Sequence, residues 1–164
     1  MCSSDLIFDY IMLSDAQILK KFGQPGENFA MLEIPYPMRI AWDLNHSVTK
    51  IQCHKFAIGS FLSVFSDLKA HYGYDKIKEL GIDLYGGCVN VRKMRGSTTK
   101  WSRHSWGIAI DLDPTRNGLK TKKPIAQFSK PEYKPMIDIF YKNGFINYGV
   151  EKDYDWMHWE INKI

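Results

Sequence analysis

Apolar residues recur at Ile58, Phe61, Leu62, Phe65 and Leu68, the three-to-four spacing of one helical face, and predict a helix from about His54 to His71 that Gly73 stops. Nearer the N-terminus, Ser14-Asp15-Ala16-Gln17 has capping-box spacing and opens a short helix that Gly23 can end. Phe29 to Ile34 and Met38 to Leu44 read as two strands separated by Pro35-Tyr36-Pro37, a rigid extended link. A helix from Lys76 to Leu80 closes at Gly81, and Ile82 to Arg92 reads as a strand broken by Gly86-Gly87. A last helix is expected from Pro131 to Asn143, with Pro135 near its first turn and Gly144 behind it. Phe145 to Tyr148 and Trp156 to Ile161 complete the strands, and residues 94–103 and 113–130 are polar loops. With no repeat, low-complexity segment or Pro/Gly/Ser linker, the chain is expected to be one α+β domain over residues 1–164. It should have a small antiparallel sheet with flanking helices, and residues 1–13 as a loose extension.

Between the two polar loops lies the alternating run Ile108-Ala109-Ile110-Asp111-Leu112, preceded by Gly107 and His104. A strand here puts Ile108, Ile110 and Leu112 on a core face and Gly107, Ala109 and Asp111 on the other. That second face is small except for one carboxylate, and His104 can fold back over it from the loop. A metal ion fits the arrangement, and the terminal run Asp155-Trp156-Met157-His158-Trp159-Glu160 offers a second imidazole. Two histidines and one carboxylate are a common zinc set, with a fourth position kept for water in hydrolytic sites. Asp155, just ahead of His158, could take that water's proton.

Composition narrows the field. A chain of 164 residues can bury a core without a metal, which favours a catalytic over a purely structural ion. The 22 Lys and Arg against 18 Asp and Glu are dispersed, so the net charge of +4 suits mild attraction to an anionic polymer, and no nucleic-acid motif is present. Cys2, Cys53 and Cys88 are an odd number and give no disulfide framework. No 18-residue apolar window exists, so membrane insertion is not expected. Met1 to Leu13 carries Asp5 and Asp9 and lacks a basic start, which argues against a secretory signal; Met12 could be an internal start. His46, His54 and His71 are expected to be structural or surface residues, and Trp106, Trp156 and Trp159 to pack in the core or the wall of the site.

Ser-x-His-x-x-Gly-x-Ala-x-Asp at Ser102 to Asp111, followed by Asp-x-Met-His-x-Glu at Asp155 to Glu160, resembles the zinc D-Ala-D-Ala carboxypeptidase and L-alanyl-D-glutamate endopeptidase family. That family includes many phage endolysins and shares the fold of the hedgehog signalling domain. The resemblance begins at Tyr85-Gly86-Gly87-Cys88-Val89-Asn90-Val91-Arg92, similar to the family's arginine-bearing strand. It implies zinc (Zn2+) held by His104, Asp111 and His158, with Asp155 as general base. Arg92 would bind a carboxylate or carbonyl of the substrate, a role Arg95 could also take, and Ser102 would hydrogen-bond near the site. Glu160, two residues past His158 on the same strand face, could orient a ligand imidazole.

The resemblance further implies a substrate, the peptide of bacterial peptidoglycan. Carboxypeptidase members commonly carry Glu-x-x-His where this chain has Asp155-Trp156-Met157-His158, and the shorter acid resembles the endopeptidase endolysins. The expected activity is therefore cleavage between L-Ala and D-Glu by a phage or prophage lysis enzyme, made in the cytoplasm without a signal peptide and released by a separate pore-forming protein. D-alanyl-D-alanine carboxypeptidase activity is the alternative, and a zinc-bearing binding module without hydrolysis is a third reading that the acid at Asp155 opposes.

Overall fold

The structure is a computed structural model that describes residues 12–164; of the expected N-terminal extension, residues 1–11 lie outside the described residues. Leu13 is not loose: it is buried, its N–H reaches Asn162 Oδ1 at 3.3 Å, and its carbonyl accepts from Arg103. Helix α1, Asp15–Phe22, follows at once with both halves of the capping box formed between Ser14 and Gln17.

Strand β1, Phe29–Ile40, is one strand where two were expected. Leu32, Ile34, Tyr36 and Met38 point alternately into the core straight through Pro35 and Pro37, so the period-2 pattern outlasts the prolines. The prolines have no N–H to give, and the ladder to the next strand is irregular between Glu33 and Met38. After a turn at Ala41-Trp42 the chain returns as β2, Asp43–His54, a strand the sequence did not announce. It is an edge strand with only Ile51, Cys53 and His54 buried; most of its other residues are polar and Leu44 is exposed, so it shows no alternating hydrophobic face.

The long helix α2, Ile58–Tyr72, buries Phe61, Val64, Phe65 and Leu68 and ends at Gly73. It starts later than the apolar spacing suggested, because His54 still belongs to β2. Helix α3, Tyr74–Leu80, is closed by Gly81 in the left-handed conformation. Strand β3 is only Leu84–Gly87; the strand expected to reach Arg92 stops where Gly87 turns to φ 115°. A single 3-10 turn, Arg103–Trp106, leads through Gly107 into β4, Ala109–Leu112. Helix α4, Lys134–Lys142, holds Pro135 in its first turn, with Pro131–Tyr133 a separate 3-10 turn before it. Strand β5 is Phe145–Asn147, Tyr148–Lys152 forms a short helix α5 in place of a strand end, and β6 is His158–Ile161.

These strands form one sheet in the order β2-β1-β3-β4-β6-β5, antiparallel except where β1 runs parallel to β3. The expected α+β architecture with flanking helices is therefore present. Helices α2 and α4 supply much of the core, and Phe140 of α4 stacks on Trp159 of β6 with ring centroids 4.1 Å apart. Trp106, Trp156 and Trp159 are all buried in that core. The consequence for chemistry is the register of the two central strands: Asp111 on β4 lies directly opposite His158 on β6.

Candidate metal centre

Asp111 and His158 therefore meet as a cross-strand pair, and His104 joins them from the 3-10 turn, two residues after Ser102, whose Oγ caps the turn by accepting the His104 N–H at 3.3 Å. Gly107 makes the return possible. It sits at φ 71°, and a Cβ there would lie 2.7 Å from the His54 nitrogen, whose N–H donates to the Gly107 carbonyl at 2.9 Å.

Asp111 Oδ1 lies 3.3 Å from His104 Nε2 and 3.4 Å from His158 Nδ1, and one ligand atom from each residue falls within 4.8 Å of the others. The far nitrogen of each ring is already engaged. His104 Nδ1–H donates to the Cys88 carbonyl at 2.7 Å, and His158 Nε2–H donates to Glu160 Oε1 at 2.7 Å. Each imidazole is thereby locked with its other nitrogen turned toward Asp111.

The residues fit a zinc ion on two grounds. Asp111 Oδ1 is a buried carboxylate oxygen without a hydrogen bond among the described residues, aimed at the point where both imidazoles converge. The electrostatics also ask for a cation. Burial would push the Asp111 carboxyl up, yet the imidazoles of His104 and His158 hold it well below the ordinary carboxylate range. For His158 burial works downward, and the carboxylates of Asp111 and Glu160 overcome it, pushing the ring up to about 10. A proton on His158, or a metal ion in its place, is what those two carboxylates stabilise.

The three residues form the floor of a cleft of about 320 Å³, the small end of the range for cavities that hold a small molecule or a short peptide. Asp155 stands on its wall at φ 57°, a left-handed position that aspartate tolerates, tied down by its N–H to the Leu119 carbonyl at 2.9 Å. Its carboxyl is raised above the ordinary aspartate value, first by burial and then by Asp111, against the opposing pull of His158, His104 and Arg95.

Both candidate arginines, Arg92 and Arg95, line the same cleft, joined by Lys100 and Lys152. Arg92 is not on a strand as expected but on the loop after β3, with its guanidinium Nη1 donating to the Lys93 carbonyl at 3.2 Å. Ser102 lines the cleft too, though its oxygen is spent in part on the turn that carries His104. His54 is buried and satisfied, donating through Nε2 to the Phe22 carbonyl and accepting at Nδ1 from the Phe56 N–H, and His46 rests on Asp43 at the surface. Sequence reasoning did not single out Tyr148, whose ring packs 4.2 Å from that of His158, nor the buried Arg103 and Ser105 on either side of His104. The last two were inside the motif, and only their burial distinguishes them from turn residues.

No curated protein and no solved structure matches the chain significantly. Residues 95–161, however, match the family model described as D-alanyl-D-alanine carboxypeptidase. The match spans both motifs, all three members of the His-Asp-His group and Asp155, and it begins after Arg92. The matched residues are the ones that build the site, so the stretch that brings His104, Asp111 and His158 together is similar to the D-alanyl-D-alanine carboxypeptidase family.

Proposed function

We propose that this chain is a zinc endopeptidase that cuts the L-alanyl-D-glutamate bond of peptidoglycan stem peptides, acting as the lysis enzyme of a phage or prophage. The observation that carries the reading is the convergence of His104, Asp111 and His158 within 4.8 Å at the floor of a cleft walled by Asp155. Zinc bound by those three would supply Lewis acidity to the scissile carbonyl and to water. Asp155 is the general base: its carboxylate takes the proton of the attacking water and returns it to the leaving amine. Its raised proton affinity relative to an ordinary aspartate suits both transfers. Arg92 engages a substrate carboxylate with its planar fork, with Arg95 close enough to Asp155 to share the task, and Ser102 contributes a polar contact on the same wall.

A second reading has its own support. The matching family model is described by carboxypeptidase activity, and loss of terminal D-Ala from the same stem peptides would use the same centre. Mass spectrometry of purified peptidoglycan incubated with zinc-loaded protein, beside a chelated sample, separates the two. New D-Glu amino termini establish the endopeptidase, release of D-Ala alone establishes the carboxypeptidase, and new L-Ala amino termini reject both. No release with zinc still bound would leave a binding module. Among the described residues no helix is long and apolar enough to cross a membrane. A separate pore-forming protein is the partner proposed with this reading, and co-expression with one tests whether lysis from within depends on it.

A further inference from the structure

Arg103 is a buried cation in the middle of the site's supporting structure, with its side chain 2% exposed. Its guanidinium is gripped at one end: Nη1 donates to Asp15 Oδ1 at 2.6 Å and to the Trp101 carbonyl at 3.2 Å, and Nη2 donates to the Leu13 carbonyl at 2.6 Å. At the other end Nε points at Glu160 Oε2 from 4.0 Å, and neither of those two buried atoms has a hydrogen bond among the described residues. Glu160 itself is fully buried, and its other oxygen holds the His158 ring at 2.7 Å. Tyr148 also hydrogen-bonds this carboxylate, and beside the His158 ring Arg103 is the permanently charged group that faces it.

We propose that Arg103 is a positioning residue for the metal centre. Anchored by Asp15 and the Leu13 carbonyl, it fixes the Glu160 carboxylate, and Glu160 fixes His158 with Nδ1 turned toward Asp111. The start of α1 thus becomes part of the metal site's support, although it lies outside the matched stretch of residues 95–161. The inference rests on reading His104, Asp111 and His158 as metal ligands, but not on any particular peptide substrate.

The test is zinc affinity, measured by chelator competition in the absence of substrate on the wild type, Arg103→Met, Arg103→Lys, Asp15→Asn, Glu160→Gln and the Arg103→Met/Glu160→Gln pair. Loss of a partner behind a metal-binding histidine typically weakens the metal about 10- to 100-fold, and Arg103→Met and Glu160→Gln should each fall in that range. The double variant should be little worse than either single one, because both act through the same imidazole. Arg103→Lys, which keeps the charge and loses the fork, should fall between wild type and Arg103→Met. Asp15→Asn, at the partly exposed end of the chain, should weaken zinc about threefold without unfolding the protein. The visible spectrum of the cobalt(II)-loaded Arg103→Met and Arg103→Lys proteins should shift, a change that loss of general stability would not produce. Should Arg103→Met fail to fold, Arg103→Lys and Asp15→Asn decide. Wild-type zinc affinity with an unchanged cobalt spectrum in folded Arg103 variants, or strictly additive losses in the pair, would overturn the role of Arg103 alone. Failure of the wild type to bind zinc would overturn it together with the metal centre.

Discussion

Ser105 holds Arg92 by both ends of its backbone: the Ser105 hydroxyl oxygen accepts the Arg92 N–H at 2.9 Å and the hydroxyl donates to the Arg92 carbonyl at 2.8 Å. Ser105 is fully buried in the turn that carries His104, so the loop bearing the proposed substrate arginine is pinned to the turn bearing a proposed metal ligand. Ser105→Ala removes both bonds, and only the carbonyl keeps a second partner, the Ser102 N–H at 3.0 Å. The expected cost is about 1–3 kcal/mol of stability from the orphaned N–H. On a stem-peptide substrate KM should rise several-fold with kcat and zinc affinity little changed. Steady-state kinetics beside a zinc titration checks this, and a drop in kcat at constant KM would contradict it.

Asp155 reaches the cleft without belonging to the His-Asp-His group, so its loss should separate chemistry from metal binding. Asp155→Ala should retain a full equivalent of zinc while kcat falls about 10²- to 10⁴-fold, the usual worth of a general base. Parallel metal analysis and turnover measurements are the check; equal loss of zinc would make Asp155 a ligand.

His104→Ala and His158→Ala remove one of two nitrogen donors, and both activity and zinc should go. Chelation should abolish hydrolysis without unfolding the chain, because the hydrophobic core built on α2, α4 and the sheet does not draw on His104, Asp111 or His158. Circular dichroism with and without chelator reads the outcome. A chelated protein without tertiary signal would mean that the centre is structural.

The parts of this site that could be read in the sequence are those set by local period. Alternation through Ile108 to Leu112 placed Asp111 on the face away from Ile108 and Ile110, and the strand around His158 put Glu160 on the same side as that histidine. Contacts across long separations left no trace: Asp15 and Arg103 are 88 residues apart, and nothing in either neighbourhood announces the pair. β2 escaped because an exposed edge strand has no hydrophobic face to declare, and the proline pair in β1 looked like a break because its cost falls on the ladder and not on strand direction. Val89 and Val91 extend the strand pattern as far as Arg92, whereas a glycine at φ 115° ends the pairing at Gly87.

Burial also decides the chemistry of the two buried thiols. It pushes Cys53 up to about 12 and Cys88 well above the ordinary thiol value, so neither supplies thiolate near neutral pH. A disulfide-exchange reagent should label Cys53 and Cys88 in the native protein orders of magnitude more slowly than in denaturant. Mass mapping of labelled peptides distinguishes them from Cys2, and rapid native labelling at Cys53 or Cys88 would show that the sheet beneath the site opens.

His54 gives the fold a defined sensitivity to acid. The ring is buried between β2 and α1, donating to the Phe22 carbonyl at 2.6 Å and accepting the Phe56 N–H at 3.0 Å, an arrangement that requires the neutral form. Burial, reinforced by Lys55, lowers its pKa below 6.5 in the folded protein despite the bond to Phe22. The sign follows from proton counting: as pH falls through 6.5 the unfolded chain gains a proton at His54 that the folded chain does not. The contribution to stability is therefore complete above 6.5 and lost progressively below it. His54→Gln removes that titration, so denaturant melts should find the wild type more stable at about pH 7.5 and the gap narrowed at about pH 5. Other titrating groups cancel in the comparison. Because the His54 N–H also anchors the Gly107 carbonyl ahead of β4, the same acid step should loosen the turn that presents His104, and a gap independent of pH would remove His54 from that role.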